Sequence, residues 1–456
     1  LISFGENITT VNDISKSSKR FALGILGAGT VGGGLIRLIT EDLTACKLPL
    51  EIKRVGDRNL TRARSFGLAE VQLTDNLDNI LNDPSIDIVV EVLGGLEPAR
   101  TCIEKALVAG KHVVTANKYV ISECGDHLQE VANQKGKYLL FEASVAGSIP
   151  IIAILNEQII PDKVQALYAI LNGTSNFILT RMAEAGEDYE EALQKAQQLG
   201  FSEPDPSFDV SGKDAGQKLA ILISLLKQQY CQSSGINLRG IEFLTAEHFR
   251  FAAEHQMIIK PLSIYEEEGG KGFASVEPVL LPRHSVFANV RNEYNVLMFK
   301  CPSIGQHLLI GKGAGELPTA SAIYSDLRKI ILAECSGRRL AAGWRRESQK
   351  IVVVGNHSEK TVRTEVQFSP LTENPHRFHF YVSCSMAPAT SLRRRIRERF
   401  ASVGELIQEQ RNDNQQYGLN ILTERISHRD LRQLTEAALS EGENVKISWI
   451  RILQEI

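Results

Sequence analysis

Between Arg20 and Val145, short apolar runs alternate with amphipathic stretches. The runs are FALGILG (21–27), EIKRVG (51–56), IDIVVEVLG (86–94), KHVVTAN (111–117) and KYLLFEASV (137–145). Apolar positions at helical spacing lie between them, as in Ala99–Ala109 and Cys124–Lys135. Strand-length runs separated by helix-length segments predict βαβ units and a parallel sheet covered on both faces. From Ile149 to about Arg283 helix-like segments dominate: Pro150–Gln158, Asn176–Ala185, Tyr189–Leu199, Asp214–Gln228 and Thr245–Gln256. KVQALYAIL (163–171) interleaves as a strand, so this region predicts a separate α+β domain. Gly311–Ala333 reads as a glycine loop running into a helix. Arg338–Pro375 is polar around a short strand, IVVVG (351–355), and is expected to be a linker. From His376 onward the order strand, helix, strand, helix, strand has the size of a small domain.

Composition narrows the class. The chain's 456 residues leave room for about three domains with cores that need no covalent staple. Lys and Arg number 51 against 54 Asp and Glu, so nucleic acid is disfavoured as the main partner. The run Arg393, Arg394, Arg395, Arg397 and Arg399 reads instead as the solvated face of a helix whose Ile396 and Phe400 turn inward. Seven scattered cysteines with no C-x-x-C pair argue against a disulfide framework or structural zinc, and predict reduced thiols in the cytoplasm. No uncharged stretch reaches the ~20 apolar residues of a membrane span. The polar lead-in up to Lys19 lacks the apolar core of a signal peptide and is expected to be a loosely attached tail.

Three stretches carry candidate chemistry. Gly27, Gly29 and Gly32 form G-x-G-x-x-G between an apolar strand and an amphipathic helix, with Thr30 and Val31 inside the turn. In that context the glycines allow a tight turn, close approach of a pyrophosphate and close helix–strand packing. Asp57 and Arg58 stand side by side at the end of the second strand. The acid would suit the ribose hydroxyl of NAD and the arginine the 2′-phosphate of NADP, so the preference stays open. In GFSEPDPSFDVSGKDAGQKLAIL (200–222), Glu203, Asp205 and Asp209 occupy a proline-stiffened loop, and Asp214 precedes Lys218 by one helical turn. That pair is either a proton relay or a surface salt bridge favoured by the helix dipole. Asn117 and Lys118 end a predicted strand at the sheet edge where ligands gather.

Taken together, the Gly27–Gly32 loop, VVTANK (113–118), FEASVAGSIPII (141–152), LNGTSNFIL (171–179), the 200–222 block and GKGAGELPTASA (311–322) resemble homoserine dehydrogenase, over about residues 21–335. The resemblance implies reversible NAD(P)-dependent reduction of L-aspartate 4-semialdehyde to L-homoserine, on the route to threonine, methionine and isoleucine. It implies Lys218 as catalytic proton donor, Asp214 as its support and Lys118 as a second lysine near nicotinamide and substrate. Glu203 matches the glutamate that holds the substrate amino group, and Asp209 a further substrate-loop acid. Thr115, Arg58 and Gly313 fall on the cofactor side with the glycine loop. Glu142, Val145, Gly147 and Ile149 match a monovalent-cation site, usually sodium. The last 80 or so residues resemble an ACT domain of ferredoxin-type βαββαβ fold. Its usual loop, Asp-x-Pro-Gly, reads Ser385-Met386-Ala387-Pro388-Ala389-Thr390, so threonine regulation through that site is not expected. The chain then divides into a tail (1–20), a Rossmann-type domain (21–148 with about 311–337), a substrate-binding and dimerisation domain (149–310), a linker (338–375) and the ACT-like domain (376–456). A cytoplasmic homodimer or homotetramer is the expected assembly.

Overall fold

The computed structural model describes residues 20–41, 47–157, 164–268, 271–337, 340, 379–386, 404–411, 417–423, 426–439 and 446–453. The first apolar run forms β1 (Phe21–Leu26), and the glycine loop opens α1 (Thr30–Thr40). There follow β2 (Leu50–Gly56), β3 (Leu73–Thr74), β4 (Ile88–Glu91), α2 (Ala99–Val108), β5 (His112–Thr115), α3 (Lys118–Gln134) and β6 (Leu139–Leu140). All six strands pair in parallel in the order β3-β2-β1-β4-β5-β6, the doubly wound arrangement that the alternating pattern predicts. Ile103 and Leu107 of α2 and Val120 and Leu128 of α3 pack in one buried cluster with Val89 and Val113 of the sheet. Helix α3 starts six residues before the apolar spacing suggests. Asn117 caps it, its side-chain oxygen accepting the Val120 N–H at 3.2 Å. Lys118 is therefore the first residue of a helix, not the end of a strand.

The second region contains α4 (Ile151–Glu157), β7 (Ala166–Ile170), α5 (Gly173–Ala185), α6 (Tyr189–Gln198), α7 (Lys213–Lys227), β8 (Asn237–Leu238) and α8 (Ala246–Glu254). Four strands then follow: β9 (Met257–Glu268), β10 (Lys271–Pro282), β11 (Tyr294–Cys301) and β12 (Gly305–Lys312). Of these, β9 and β10 are the largest departure from the helix-rich reading of residues 149–283. β10 is buried on both faces through most of its length, so it lacks the period-two alternation of a half-exposed strand. β9 and β10 form one hairpin from Lys271 opposite Glu268 to Pro282 opposite Met257. The apolar α7 packs on this sheet, with Leu219 and Leu222 clustered with Leu167, Val276, Leu297 and Phe299.

The chain then returns to the first sheet. Helix α9 (Glu316–Ser336) buries Ile323, Leu327, Ile330 and Ile331 with Leu35 and Ile36 of α1. Beyond it lie β13 (His379–Met386), β14 (Gly404–Arg411), β15 (Tyr417–Thr423), α10 (His428–Leu439) and β16 (Lys446–Ile452). Their order, β16-β13-β15-β14 with antiparallel neighbours, is that of a ferredoxin-type sheet. β14 covers GELIQEQR, a segment too polar to read as a strand beforehand. β16 also pairs in parallel with β10, joining these strands to the second sheet. Arg239 reinforces that seam, its guanidinium 4.0 Å from the ring centroids of both Phe243 and Trp449. The lead-in 1–19, the linker 338–375 apart from Leu340, the loop 387–390 and the arginine run 393–399 lie outside the described residues.

Candidate active site

The glycine loop lies at the carboxyl edge of the parallel sheet. Gly27 has φ +108°, and a Cβ there would stand 2.6 Å from the Val92 carbonyl oxygen. At Gly32 a Cβ would stand 2.0 Å from the Gly27 carbonyl oxygen, so only glycine lets α1 begin so close to β1. Around Gly29 the space is open, and no side chain caps the helix that starts at Thr30. An uncapped helix N-terminus behind an open glycine fits a pyrophosphate. Asp57 turns toward this loop, its carboxylate accepting the Ala28 N–H at 2.6 Å and the Asn59 N–H at 2.9 Å. Arg58 beside it is exposed.

At the same edge, Lys118 reaches across to α7. Its Nζ lies 3.2 Å from one Asp214 oxygen, and Lys218 Nζ lies 2.7 Å from the other. Lys218 also donates to the Leu171 carbonyl at 2.8 Å. The helix carrying Asp214 and Lys218 starts from Gly212, which has φ +84°; a Cβ there would press on Val276 at 3.1 Å. Asp214 is 4 % exposed, so the pair is not a surface salt bridge. Burial pushes its carboxyl up, but Lys218 and Lys118 override that and hold it well below the usual range. The Lys118 ammonium is raised, chiefly by Asp214 and against burial, with Asp209 and Glu203 adding to the effect. Lys118 also stands 6.0 Å over the ring of Phe208.

Asp209 joins this cluster from a one-turn helix, Ser207–Val210. Burial and the Asp214 charge raise its carboxyl, while Asn172, Lys218 and Thr174 pull it down. Asn172 donates to Asp209 at 2.7 Å and to Asp214 at 2.8 Å. The single hydroxyl proton of Thr174 is shared between the Phe201 carbonyl at 2.6 Å and Asp209 at 3.1 Å. Neither residue stood out beforehand, although both lie in LNGTSN, whose Asn-Gly-Thr-Ser run is a helix-capping signal. Glu203 is exposed at the rim of the acidic loop, where Gln197 donates to its main-chain carbonyl at 3.3 Å.

Thr115 is fully buried. Its hydroxyl donates to Glu91 at 2.6 Å and accepts the Asn117 N–H at 2.9 Å. The side chain thus ties β4, β5 and the start of α3 together. Glu91 was not foreseen either: a carboxylate inside an apolar strand run gives no local cue to its partners. Burial raises its carboxyl against hydrogen bonds from Thr115, Leu93 and Asn117.

Gly147 and Gly313 meet behind the cluster. A Cβ on Gly147 would lie 2.6 Å from the Gly313 carbonyl, and one on Gly313 would lie 2.2 Å from Asn295. Ser148 bonds the Lys312 carbonyl through both N–H and hydroxyl at 3.0 Å. The Glu142 side chain is already committed, accepting the Ile152 N–H at 2.7 Å, the Ala153 N–H at 2.9 Å and Lys329 at 2.9 Å. That leaves main-chain carbonyls of the Val145–Ile149 turn as the groups there suited to a cation, the Ile149 carbonyl already accepting the Ile151 N–H at 2.7 Å.

A dinucleotide loop beside a buried lysine–carboxylate cluster defines a nicotinamide-dependent oxidoreductase. The model of the homoserine dehydrogenase NAD-binding domain matches residues 27–142, and that of homoserine dehydrogenase matches 150–327. The homoserine dehydrogenase of Synechocystis sp. is 41 % identical over 315 residues, covering 68 % of this chain and 73 % of that protein. That of Bacillus subtilis is 38 % identical over 317 residues, covering 69 % and 73 %. The crystal structure of the Thiobacillus denitrificans homoserine dehydrogenase superposes with a TM-score of 0.82 at 32 % identity, over 96 % of this chain and 99 % of that one. A hyperthermophilic archaeal homoserine dehydrogenase in complex with NADPH is 25 % identical with a TM-score of 0.59, over 69 % and 98 %. The chain belongs to the homoserine dehydrogenase family. Its reaction is the reversible NAD(P)-dependent reduction of L-aspartate 4-semialdehyde to L-homoserine, a step of amino-acid biosynthesis.

Proposed function

We propose that Lys218 is the proton donor to the aldehyde oxygen of the semialdehyde, with Lys118 beside it. The observation that carries this is Asp214, buried between the two ammonium groups at the edge where the glycine loop opens. When bound, the nicotinamide supplies the hydride for reduction or accepts it for oxidation. Lys218, fixed by Asp214 and the Leu171 carbonyl, has one remaining N–H to offer as negative charge grows on the substrate oxygen. Lys118 stabilises the same charge from the cofactor side. Glu203 grips the substrate ammonium through a charge-assisted hydrogen bond, and Asp209 is the second acid facing it. Gly27, Gly29, Thr30, Val31 and Gly32 hold the pyrophosphate, Arg58 the adenosine end, and Gly313 the nicotinamide side. Homoserine oxidation followed by nicotinamide absorbance, with NAD and NADP in parallel on wild type, Lys118→Ala and Lys218→Ala, tests these roles. Full activity of the Lys218 variant would overturn the assignment.

The Val145, Gly147 and Ile149 carbonyls, with the Glu142 main chain, are the proposed monovalent-cation ligands; a sodium titration of activity tests them. The strands from β13 to β16 are read as the ACT-like module, supported by their order. A cytoplasmic homodimer or homotetramer is proposed; Leu308 and Ile310, exposed on the edge strand β12, support self-association. No described helix is long and apolar enough to cross a membrane.

A further inference from the structure

Both lysine ion pairs of the cluster go to Asp214, whereas Asp209 beside it is held by neutral donors. The donor that touches both acids is Asn172. We propose that Asn172 is a positioning residue for the reaction: its amide nitrogen fixes Asp209 against Asp214, in the place where Asp209 meets the substrate ammonium. The inference rests on the roles proposed above for Asp209, Asp214 and Lys218.

The orientation of the amide follows from its third partner. The Asn172 oxygen accepts the Ser175 N–H at 2.7 Å as the N-cap of α5, which turns the nitrogen toward the two carboxylates. An amide nitrogen has two N–H groups, and the two acids take both. The side chain is 5 % exposed and satisfied in every direction. The cap alone does not require asparagine, since aspartate and serine cap equally well. Aspartate, however, would set a third carboxylate against the two already there, and serine has a single, shorter donor. Asparagine is the good capping residue that also bridges two acids.

The charged groups around Asp209 are Asp214 and Lys218 of α7, Lys118 of α3 and Glu203 of its own loop. Burial and Asp214 favour the protonated form of Asp209, and the Asn172 bond opposes them. Removing that bond raises the Asp209 carboxyl further. Protonation then begins at a higher pH, and the acid limb of kcat/KM for homoserine moves upward.

Asn172→Ser and Asn172→Asp test this, because both keep a capping oxygen. For Asn172→Ser we expect a melting temperature and NAD(P) affinity close to wild type. Its homoserine KM should rise about tenfold at neutral pH, the loss of one hydrogen bond to a charged group. The acid limb should move to higher pH, so the penalty grows as the pH falls. Asn172→Asp should lose more. A wild-type KM and pH profile in both variants, or a loss of stability with the profile of the folded fraction unchanged, would reduce Asn172 to a helix cap and overturn the proposal. Asp214→Asn and Lys218→Ala run alongside. If those two are fully active, the reading beneath the proposal has failed; if they are inactive while Asn172→Ser matches wild type, only the proposal has.

Discussion

At the glycine loop the chain presents backbone, and at the junction with α7 it presents side chains. The loop works because Gly27, Gly29 and Gly32 leave room for a phosphate to meet bare N–H groups. The junction works because Lys118, Asn172, Asp209, Asp214 and Lys218 converge from three helices and a short loop turn. A backbone site is local, and a single alanine can fill it. A side-chain site is distributed, and each member is held by the others. The two should therefore fail differently.

The largest effect is expected at the distributed site. Lys218→Ala should lower turnover by roughly 10²–10⁴, the usual contribution of a general acid. Lys118 still faces Asp214 in that variant, so calorimetry should show a folded protein. Turnover near wild type would show that the cluster is structural. At the loop, Gly32→Ala forces a methyl against the Gly27 carbonyl. Such overpacking costs about 1–3 kcal/mol, equivalent to roughly five- to 150-fold in affinity where the cofactor has to restore the loop. Titration should show that loss for NAD(P), and an unchanged dissociation constant would mean that the loop does not carry the cofactor.

Glu203→Gln sharpens the contrast from the substrate side. It should raise the homoserine KM by about ten- to a hundredfold, the value of a charge-assisted bond, and leave NAD(P) affinity alone. Equal damage to both would place Glu203 in the framework. The mildest effect concerns a buried imidazole. His248 is 4 % exposed, with Nδ1 accepting the Thr245 N–H at 3.1 Å. Burial and nearby Arg239 push its imidazole down to about 4. Below the ordinary value near 6.5 the unfolded chain takes a proton that the folded chain refuses, so stability falls as pH drops toward 4. The loss is at most about 3 kcal/mol. His248→Asn keeps an acceptor for Thr245, and melting curves between neutral pH and pH 5 or so should show a smaller decline than wild type. An identical decline would place the acid sensitivity elsewhere.

What could be read along the chain follows the same division. The parallel sheet and its loop were legible because apolar runs and glycines are local signals. Asp214 and Lys218 were legible as a pair because they share one helix. Their link to Lys118 was not, since 96 residues separate it from Asp214 and Asn117 starts α3 where the apolar spacing is still silent. Glu91 and Asn172 were missed because their partners are distant in sequence. The β9–β10 hairpin was missed because a strand buried on both faces loses its alternation.

Helix α9 gives the molecule a particular order of assembly. Its apolar face completes the layer over α1, and Glu316 at its start pairs with Arg37 and Arg62. The first sheet is therefore covered by residues made some three hundred positions after β1 begins. During synthesis, when domains generally fold from the N-terminus onward, the cofactor half must wait for the helix that completes the cluster around Leu35 and Ile36 while the whole second region emerges. A nascent chain arrested before Glu316 should remain protease-sensitive at α1, and one arrested well beyond Ser336 should not. The active-site junction is thus closed late: the cofactor half is completed only once the second region has been made.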